Sequence, residues 1–367
     1  MIRFSSLKEN LAALDKILLC GVLLLFFSGV ACIYSAGSGS SQGGNYAYRQ
    51  IFWFCVSLCA FMAALIVGYR KFMDFTYPIY FTALLLLGIT ILFAPSVKGA
   101  QRMISLGFIG FQPSEFGKIA IVLVMAKFLN RYPPLNLKTF MGGLLVGIPA
   151  LLMVLKQPDL GSTLVYVAII LSALFVAGAP MKYLLSFMGL GLAICPMLWP
   201  FLKDYQKLRL LVFIDPMRDP LGAGYNVIQS RIAVGSGSFW GKGFMQGLQS
   251  KLRFLPEPHT DFIFSVYAEE FGFLGSSIIL AVFGLVFTRM ILTGMKSHEI
   301  RAKILVAGIT VWIWFQTFEG IGMSMGLMPV TGLPLPFLSY GGSAILSISI
   351  ALGLLGSIAL ESVKPYK

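Results

Sequence analysis

Apolar residues run in long blocks along this chain, and polar residues are confined to the short stretches between them. A helix needs roughly 20 apolar residues to cross the hydrocarbon core of a bilayer, and blocks of that order recur from end to end. They predict ten spans, near 17–36, 50–68, 75–94, 114–130, 139–155, 162–179, 182–201, 261–288, 303–326 and 343–361. The fourth and fifth are short, as for helices partly buried in protein or open to a cavity. The predicted fold is all-α: a polytopic integral membrane protein with ten transmembrane helices. Residues 1–367 form one membrane domain, and 202–260 form its one large extracytoplasmic loop. The first block is long and has no small-x-small cleavage site, so it reads as a span rather than a signal peptide.

Lysine and arginine set the orientation. One set of loops carries Arg3, Lys8, Lys16, Arg70, Lys71, Arg131, Lys138, Lys182, Arg289, Lys296, Arg301, Lys303, Lys364 and Lys367. The short loops on the other side hold only Arg49, Lys98, Arg102 and Lys156. Both termini are therefore expected in the cytoplasm.

Composition strengthens this picture. The chain is 57% hydrophobic and 12% charged, about half the charge of ordinary soluble domains, and its mean hydropathy is +0.83. The net charge of +13 is spread singly or in pairs between apolar runs. That distribution fits topology and anionic head groups rather than nucleic acid. Cys20, Cys32, Cys55, Cys59 and Cys195 all fall in predicted spans, without a CxxC motif, and read as packing residues.

The 202–260 loop is basic although it lies on the outer side, with Lys203, Lys207, Arg209, Arg218, Arg231, Lys242, Lys251 and Arg253. Long loops translocate largely regardless of charge. Either an anionic ligand or a solvated face near anionic lipid accounts for the basicity. Within it, "GYNVIQSRIAVGSGSFWGKGF" lacks the GKS or GKT of a P-loop. Its glycines either bring backbone N–H groups close to phosphate oxygens or simply end a loop helix in turns.

An ionisable group at membrane depth costs roughly 2.5–3.5 kcal/mol even on the milder scale, so each needs a partner or a purpose. Glu115 and Lys118 in "QPSEFGKIA" sit one helical turn apart and either pair structurally or present the lysine to an anionic substrate. Asp159 in "QPDLGST" is an N-cap or a site residue. Glu269, Glu270 and Glu319 lie too deep to cap and are expected to face the bundle interior. The outer stretch "GLPLPFLSYGGSA", with Ser339 and Tyr340, reads as a rigid re-entrant turn.

The densest polar chemistry is "LPEPHTDFIF", residues 255–264, at the start of the eighth predicted span. Asp261 has two readings, helix N-cap or general base. A low-dielectric mouth raises a carboxylate's pKa and suits it to take a proton. Capping leaves Glu257 and His259 beside it without a purpose. Glu257 and Asp261 next to a diphosphate also have the chemistry to hold a divalent cation, Mg2+ or Mn2+. One aspartate among cations fits an inverting group transfer from a diphosphate-linked donor.

Five motifs together, "QPSEFGK", "QPDLGS", "QSRIAVGSGSFWGKG", "LPEPHTDFIF" and "PVTGLPLPFLSYGGSA", resemble the shape, elongation, division and sporulation (SEDS) family of bacterial membrane proteins. Order and spacing match along nearly the whole chain, and the details are closer to the elongation members than to the division members. The resemblance implies a peptidoglycan glycosyltransferase that polymerises lipid II in the outer leaflet of the bacterial cytoplasmic membrane. It implies a class B penicillin-binding protein as partner, whose transpeptidase crosslinks the glycan. The family's essential aspartate falls on Asp261, its Glu and Lys on Glu115 and Lys118, and its "QPDLG" aspartate on Asp159. Asp261 would then deprotonate the acceptor hydroxyl while undecaprenyl diphosphate leaves. Lys118, Arg102, Arg231 and Lys242 are candidates to stabilise the diphosphate charge, with His259, Ser339 and Tyr340 as further substrate contacts. The chain departs from the family at "GAQRM" (Gln101, Met103) and "FEGIGM" (Glu319, Gly320). Two rival functions fit composition alone: a lipid II flippase, with its essential charges near the midplane, and a non-catalytic scaffold that activates the penicillin-binding partner.

Overall fold

The computed structural model describes residues 14–37, 43–94, 103–106 and 109–363. Its α-helices are α1 (Lys16–Gly37), α2 (Gly43–Val67), α3 (Tyr69–Asp74), α4 (Thr76–Phe93), α5 (Pro113–Arg131), α6 (Leu137–Lys156) and α7 (Leu160–Val176). They continue with α8 (Met181–Ile194), α9 (Asp204–Ile214), α10 (Ala223–Ser236), α11 (Leu248–Lys251), α12 (Ile263–Lys296), α13 (Ile300–Met325) and α14 (Gly342–Val363). A two-stranded antiparallel hairpin, β1 (Ile104–Leu106) and β2 (Ile109–Phe111), leads into α5.

A helix stands at each of the ten predicted segments. Seven of them (α1, α2, α4, α6, α12, α13 and α14) are long and apolar enough to cross a membrane. α7 and α8 are shorter apolar helices, and α5 carries Glu115, Lys118, Lys127 and Arg131 within its 19 residues. The seventh predicted segment stops being α-helical at Ile194, and Cys195–Phe201 form a 3-10 turn. Pro196 and Pro200 cause this, since proline lacks the N–H that an α-helix interior needs. The predicted role of the cysteines is corrected in part: Cys32 is packed, but Cys20, Cys55 and Cys59 are exposed on the flank of the bundle.

α13 is the central post, with Trp312 and Ile313 fully buried, and it packs against α7, α5 and α12. α14 lies along α2. There Gly353 lets the helices close up, because a Cβ at that position would stand 2.6 Å from the Phe61 carbonyl oxygen. One continuous apolar cluster links all of these helices.

Polar contacts sort to the two ends of the bundle. The end that bears the 202–260 segment, the hairpin and the 327–341 loop is held by bonds such as Ser343 Oγ to the Gly110 carbonyl (3.1 Å) and Tyr205 Oη to the Pro158 carbonyl (2.7 Å). The opposite end carries ion pairs: Arg70 with Glu299 (2.9 Å) and Glu361 (2.8 Å), Arg301 with Glu299 (2.5 Å), and Arg289 with Asp15 (2.6 Å).

α12 is one helix with a break. Gly272 takes φ 63° and ψ −162° inside it, a conformation that L side chains avoid. The glycine-rich segment after α10 docks into this break. Lys242 N and Gly243 N donate to the carbonyls of Glu269 (3.0 Å) and Glu270 (2.9 Å), while Phe273 N and Leu274 N donate to Ser238 (2.9 Å) and Phe239 (3.1 Å). A Cβ on Gly241 would lie 2.1 Å from the Glu270 carbonyl oxygen. These glycines bring two backbones together; the Gly243 N–H is spent on α12 and the Gly241 N–H on the Gly237 carbonyl (2.8 Å).

Candidate functional site

The site is built on the turn that precedes α12. Leu255 and Phe262 pack with Val266 and Ala36 and fix the turn to the end of α1. Asp261 lies between these anchors, half-buried. The N-cap of α12 is Phe262, whose side chain makes no capping bond, and Asp261 stands one residue before it.

Two other elements clamp this turn. From the 327–341 loop, Tyr340 N donates to the His259 carbonyl (2.9 Å) and Ser339 Oγ donates to the Thr260 carbonyl (2.6 Å). Ser339 Oγ in turn accepts from Leu335 N (2.9 Å). From α2, Gln50 Nε2 donates to the Ser339 carbonyl (3.1 Å), and Gln50 Oε1 accepts from Gly341 N (3.3 Å). The Tyr46 ring stacks on His259 at 4.3 Å and meets Tyr340 edge-on at 5.3 Å. Burial holds the Tyr340 phenol above its ordinary range, against the pull of Arg49. Glu257 sits in the left-handed region at φ 48°, and its Oε2 is 4.0 Å from His259 Nε2 and 3.5 Å from Thr260 Oγ1. The site therefore gathers Glu257, His259 and Asp261 with Ser339 and Tyr340, all of them expected, and adds Tyr46 and Gln50. Tyr46 lies ahead of the second predicted span, and Gln50 is the first residue of that span, where a single glutamine carries no signal of its own. The run "NYAYRQ", polar and aromatic at a span's outer end, was the available signal.

Among the described residues, no three His, Cys, Asp or Glu side chains group to hold a metal ion. The donor set at the mouth fits Mg2+ only in the manner usual for that ion, with one or two carboxylates completed by substrate phosphate oxygens and water. Glu257 and Asp261 would be those carboxylates.

The other predicted residues within the described structure sit on α5, at the start of α7, on α10, in the loop after it and on α13. Glu115 and Lys118 are fully buried, 2.5 Å apart. Lys118 Nζ also donates to Gln316 Oε1 (3.1 Å) and lies 5.2 Å over the Trp312 ring. Gln316 Nε2 donates to the Pro334 carbonyl (2.7 Å), and Ser347 Oγ donates to Glu115 Oε2 (3.4 Å). The pair thus ties α5 to α13, α14 and the loop that clamps the Asp261 turn, and the ammonium's partners Glu115 and Gln316 both lie inside the protein. Asp159 is buried and caps α7, accepting from Ser162 N (3.1 Å) and Ser162 Oγ (2.8 Å). Glu319 is 2% exposed in α13. Arg231 is exposed, and its guanidinium reaches the carbonyls of Met325 and Gly326 at 3.5 Å, at the end of α13. Arg102 lies outside the described residues.

Lys242 is drawn the other way, onto α12. Its Nζ is 2.7 Å from Glu269 Oε1, and Glu269 is fully buried. The same oxygen accepts from Leu248 N (3.0 Å) and Gln249 N (3.3 Å). Next to it, Glu270 accepts a short hydrogen bond from the Ser35 hydroxyl on α1. These two glutamates face the interior as expected and fasten the loop and α1 to the helix that starts beside Asp261.

The family model for the FtsW/RodA/SpoVE cell cycle protein matches residues 15–364. A peptidoglycan glycosyltransferase MrdB of Escherichia coli K12 is 38% identical, with 94% of each chain covered. A peptidoglycan glycosyltransferase RodA of Treponema pallidum is 32% identical over 94% of this chain and 97% of its own. Among solved structures, a chain from a study of how a peptidoglycan synthase complex coordinates polymerization and crosslinking superposes with a TM-score of 0.83 at 29% identity, covering 96% of this chain and 99% of that one. The Thermus thermophilus rod shape determining protein RodA superposes with a TM-score of 0.73 at 27% identity, covering 96% and 98%.

Proposed function

The chain belongs to the FtsW/RodA/SpoVE family of cell cycle proteins, and from that membership we propose the reaction it performs. It is a multi-pass membrane protein and a peptidoglycan glycosyltransferase, and it polymerises lipid II into glycan strands during cell elongation. It lies in the bacterial cytoplasmic membrane with both termini in the cytoplasm and the Asp261 mouth facing outward. That sidedness rests on the excess of lysine and arginine in the opposite loops.

In this reading the 4-hydroxyl of the acceptor's GlcNAc attacks the anomeric carbon of the donor's MurNAc. Asp261 takes the hydroxyl proton as the new C–O bond forms. The bond from the anomeric carbon to undecaprenyl diphosphate breaks, its electron pair leaves with the diphosphate, and the α linkage becomes β. A Mg2+ or Mn2+ ion on Glu257 and Asp261 would supply charge stabilisation for that leaving group. Arg231, exposed on the same end, is the loop cation best suited to reach it. A class B penicillin-binding protein takes the product strand for crosslinking.

One observation carries the reading: Asp261 is a half-buried carboxylate on the turn ahead of α12, a turn clamped by α2 and the 327–341 loop. A flippase would instead expose its essential charges near the midplane to each side in turn, whereas Glu115, Lys118 and Asp159 are 0% exposed and bonded within the bundle.

The test uses purified protein with its partner, the partner's transpeptidase blocked, and labelled lipid II in detergent. Asp261→Asn should lower the rate of polymer formation by about 10²–10⁴-fold, the usual worth of a positioned acid or base, while the variant still binds the partner. Equal polymer from variant and wild type would remove Asp261 from the chemistry.

A further inference from the structure

At the end of the bundle remote from Asp261, the first turn of α1 and the last turns of α12 and α14 enclose a recess of about 410 Å³. Lys16, Arg289 and Lys296 line it together with one carboxylate, Asp15, and the hydroxyls of Thr293 and Ser362. Both oxygens of that carboxylate are committed. Oδ1 accepts from Ile17 N and Leu18 N, each at 3.1 Å, and Oδ2 holds Arg289 Nε at 2.6 Å. Lys16 and Lys296 form no ion pair or side-chain hydrogen bond among the described residues. The recess therefore carries two uncompensated positive charges.

The hydroxyls add a second preference. Thr293 Oγ1 donates its hydrogen to the Arg289 carbonyl (3.0 Å), and Ser362 Oγ donates to the Ala359 carbonyl (2.7 Å). While those bonds are kept, both hydroxyls offer a ligand acceptor lone pairs. The recess thus pairs cations for an anion with acceptors for an O–H donor.

Apolar surface continues from the same walls. A narrow crevice of Leu18, Leu19, Val22, Leu352 and Leu355 adjoins the recess and shares Asp15 and Thr293 with it. Ile17 is 48% exposed on the outside of α1, so chains attached to a bound head group would lie against lipid-facing helix.

We propose that this recess binds the head group of an anionic phospholipid with free hydroxyls, of the phosphatidylglycerol type, from the leaflet on that side. The phosphate lies between Lys16 and Lys296, and the glycerol hydroxyls donate to Thr293 and Ser362. A choline or ethanolamine head group brings a cation toward two lysines and is disfavoured. Basic recesses between helices at membrane level are suited to anionic head groups. The site is independent of the reaction proposed for Asp261.

Native mass spectrometry of the full chain in detergent tests this, with phosphatidylglycerol, phosphatidylcholine, phosphatidic acid and inorganic phosphate as probes. One phosphatidylglycerol should bind in preference to phosphatidylcholine. The Lys16→Gln/Lys296→Gln variant should weaken it about thirtyfold, as expected of two lysines at an anionic surface. Thr293→Val should narrow the preference for the glycerol head group over phosphatidic acid. Equal retention by the double variant, or equal binding of both phospholipids, overturns the proposal. Inorganic phosphate displacing the lipid at comparable concentration would show an anion site with no lipid preference and overturns it too. Thermal unfolding of each variant, expected to match wild type, separates these outcomes from misfolding.

Discussion

Lys118 shows how a charge can be tolerated inside this bundle. Its ammonium is fully buried with Glu115, Gln316 and the Trp312 face around it. Removing one member of such a pair strands the other. Lys118→Met should therefore cost about 3–5 kcal/mol and show as a lower unfolding temperature in detergent. The double variant Glu115→Gln/Lys118→Met should recover much of that loss, because no charge is left unpaired. The three-residue spacing made the Glu115–Lys118 pairing legible in sequence. Gln316 was not legible, because it lies 198 residues away in the chain and only the packing of α13 on α5 brings it there. The Asp159 motif was open between cap and site residue, and the bonds to Ser162 show a cap. At Asp261 the same local signal, an acid ahead of an apolar run, was ambiguous for the same reason. The helix begins two residues later, at Ile263, after Phe262 has packed against Ala36 and Val266.

At the scale of elements, the break in α12 joins the loop to the site. Gly241 has no room for a Cβ, and its φ is 82°. Gly241→Ala should cost roughly 1–2 kcal/mol at that residue. It should raise amide exchange about tenfold or more at Lys242, Gly243, Phe273 and Leu274, whose N–H groups span the junction. Glu269→Gln should release Lys242 and lower polymer yield through misplacement of the turn. Asp261→Asn acts on the proton transfer, so the two differ in readout: exchange in the loop rises for Glu269→Gln and stays unchanged for Asp261→Asn. Run length sufficed to predict a helix at each of the ten segments, because burial in lipid imposes a local, continuous demand on the sequence. The break at Gly272 answers a nonlocal demand, the approach of another backbone. Nothing in "EEFGFLG" separates that glycine from an ordinary one.

Across the whole molecule, the two ends divide the work. One carries the Asp261 mouth, and the other is bound by ion pairs. Glu299 is the hub of that second end, receiving Arg301 (2.5 Å), Arg70 (2.9 Å) and the Tyr69 hydroxyl (2.9 Å). The Arg301 hydrogen bond, and after it Tyr69 and the arginine charges, hold its carboxyl below the usual range despite partial burial. A carboxyl depressed in the folded state stabilises above its unfolded pKa, about 4.3. That contribution fades as pH falls through the lower folded value. Wild type should therefore be more stable than Glu299→Gln at pH 6. The gap should close as pH drops below about 4, read by thermal unfolding in detergent across that range.

The buried lysine also has a history in time. Lys118 and Glu115 leave the ribosome together, but Gln316 follows Lys118 by 198 residues and Ser347 follows Glu115 by 232. Until the last third of the chain has been made and threaded into the bilayer, the ammonium has only its neighbouring carboxylate for company. The early helices therefore wait in an unfinished state, and the late ones complete them. Chains cut short before α13 should be recognised and degraded by membrane quality control rather than persist as half-bundles.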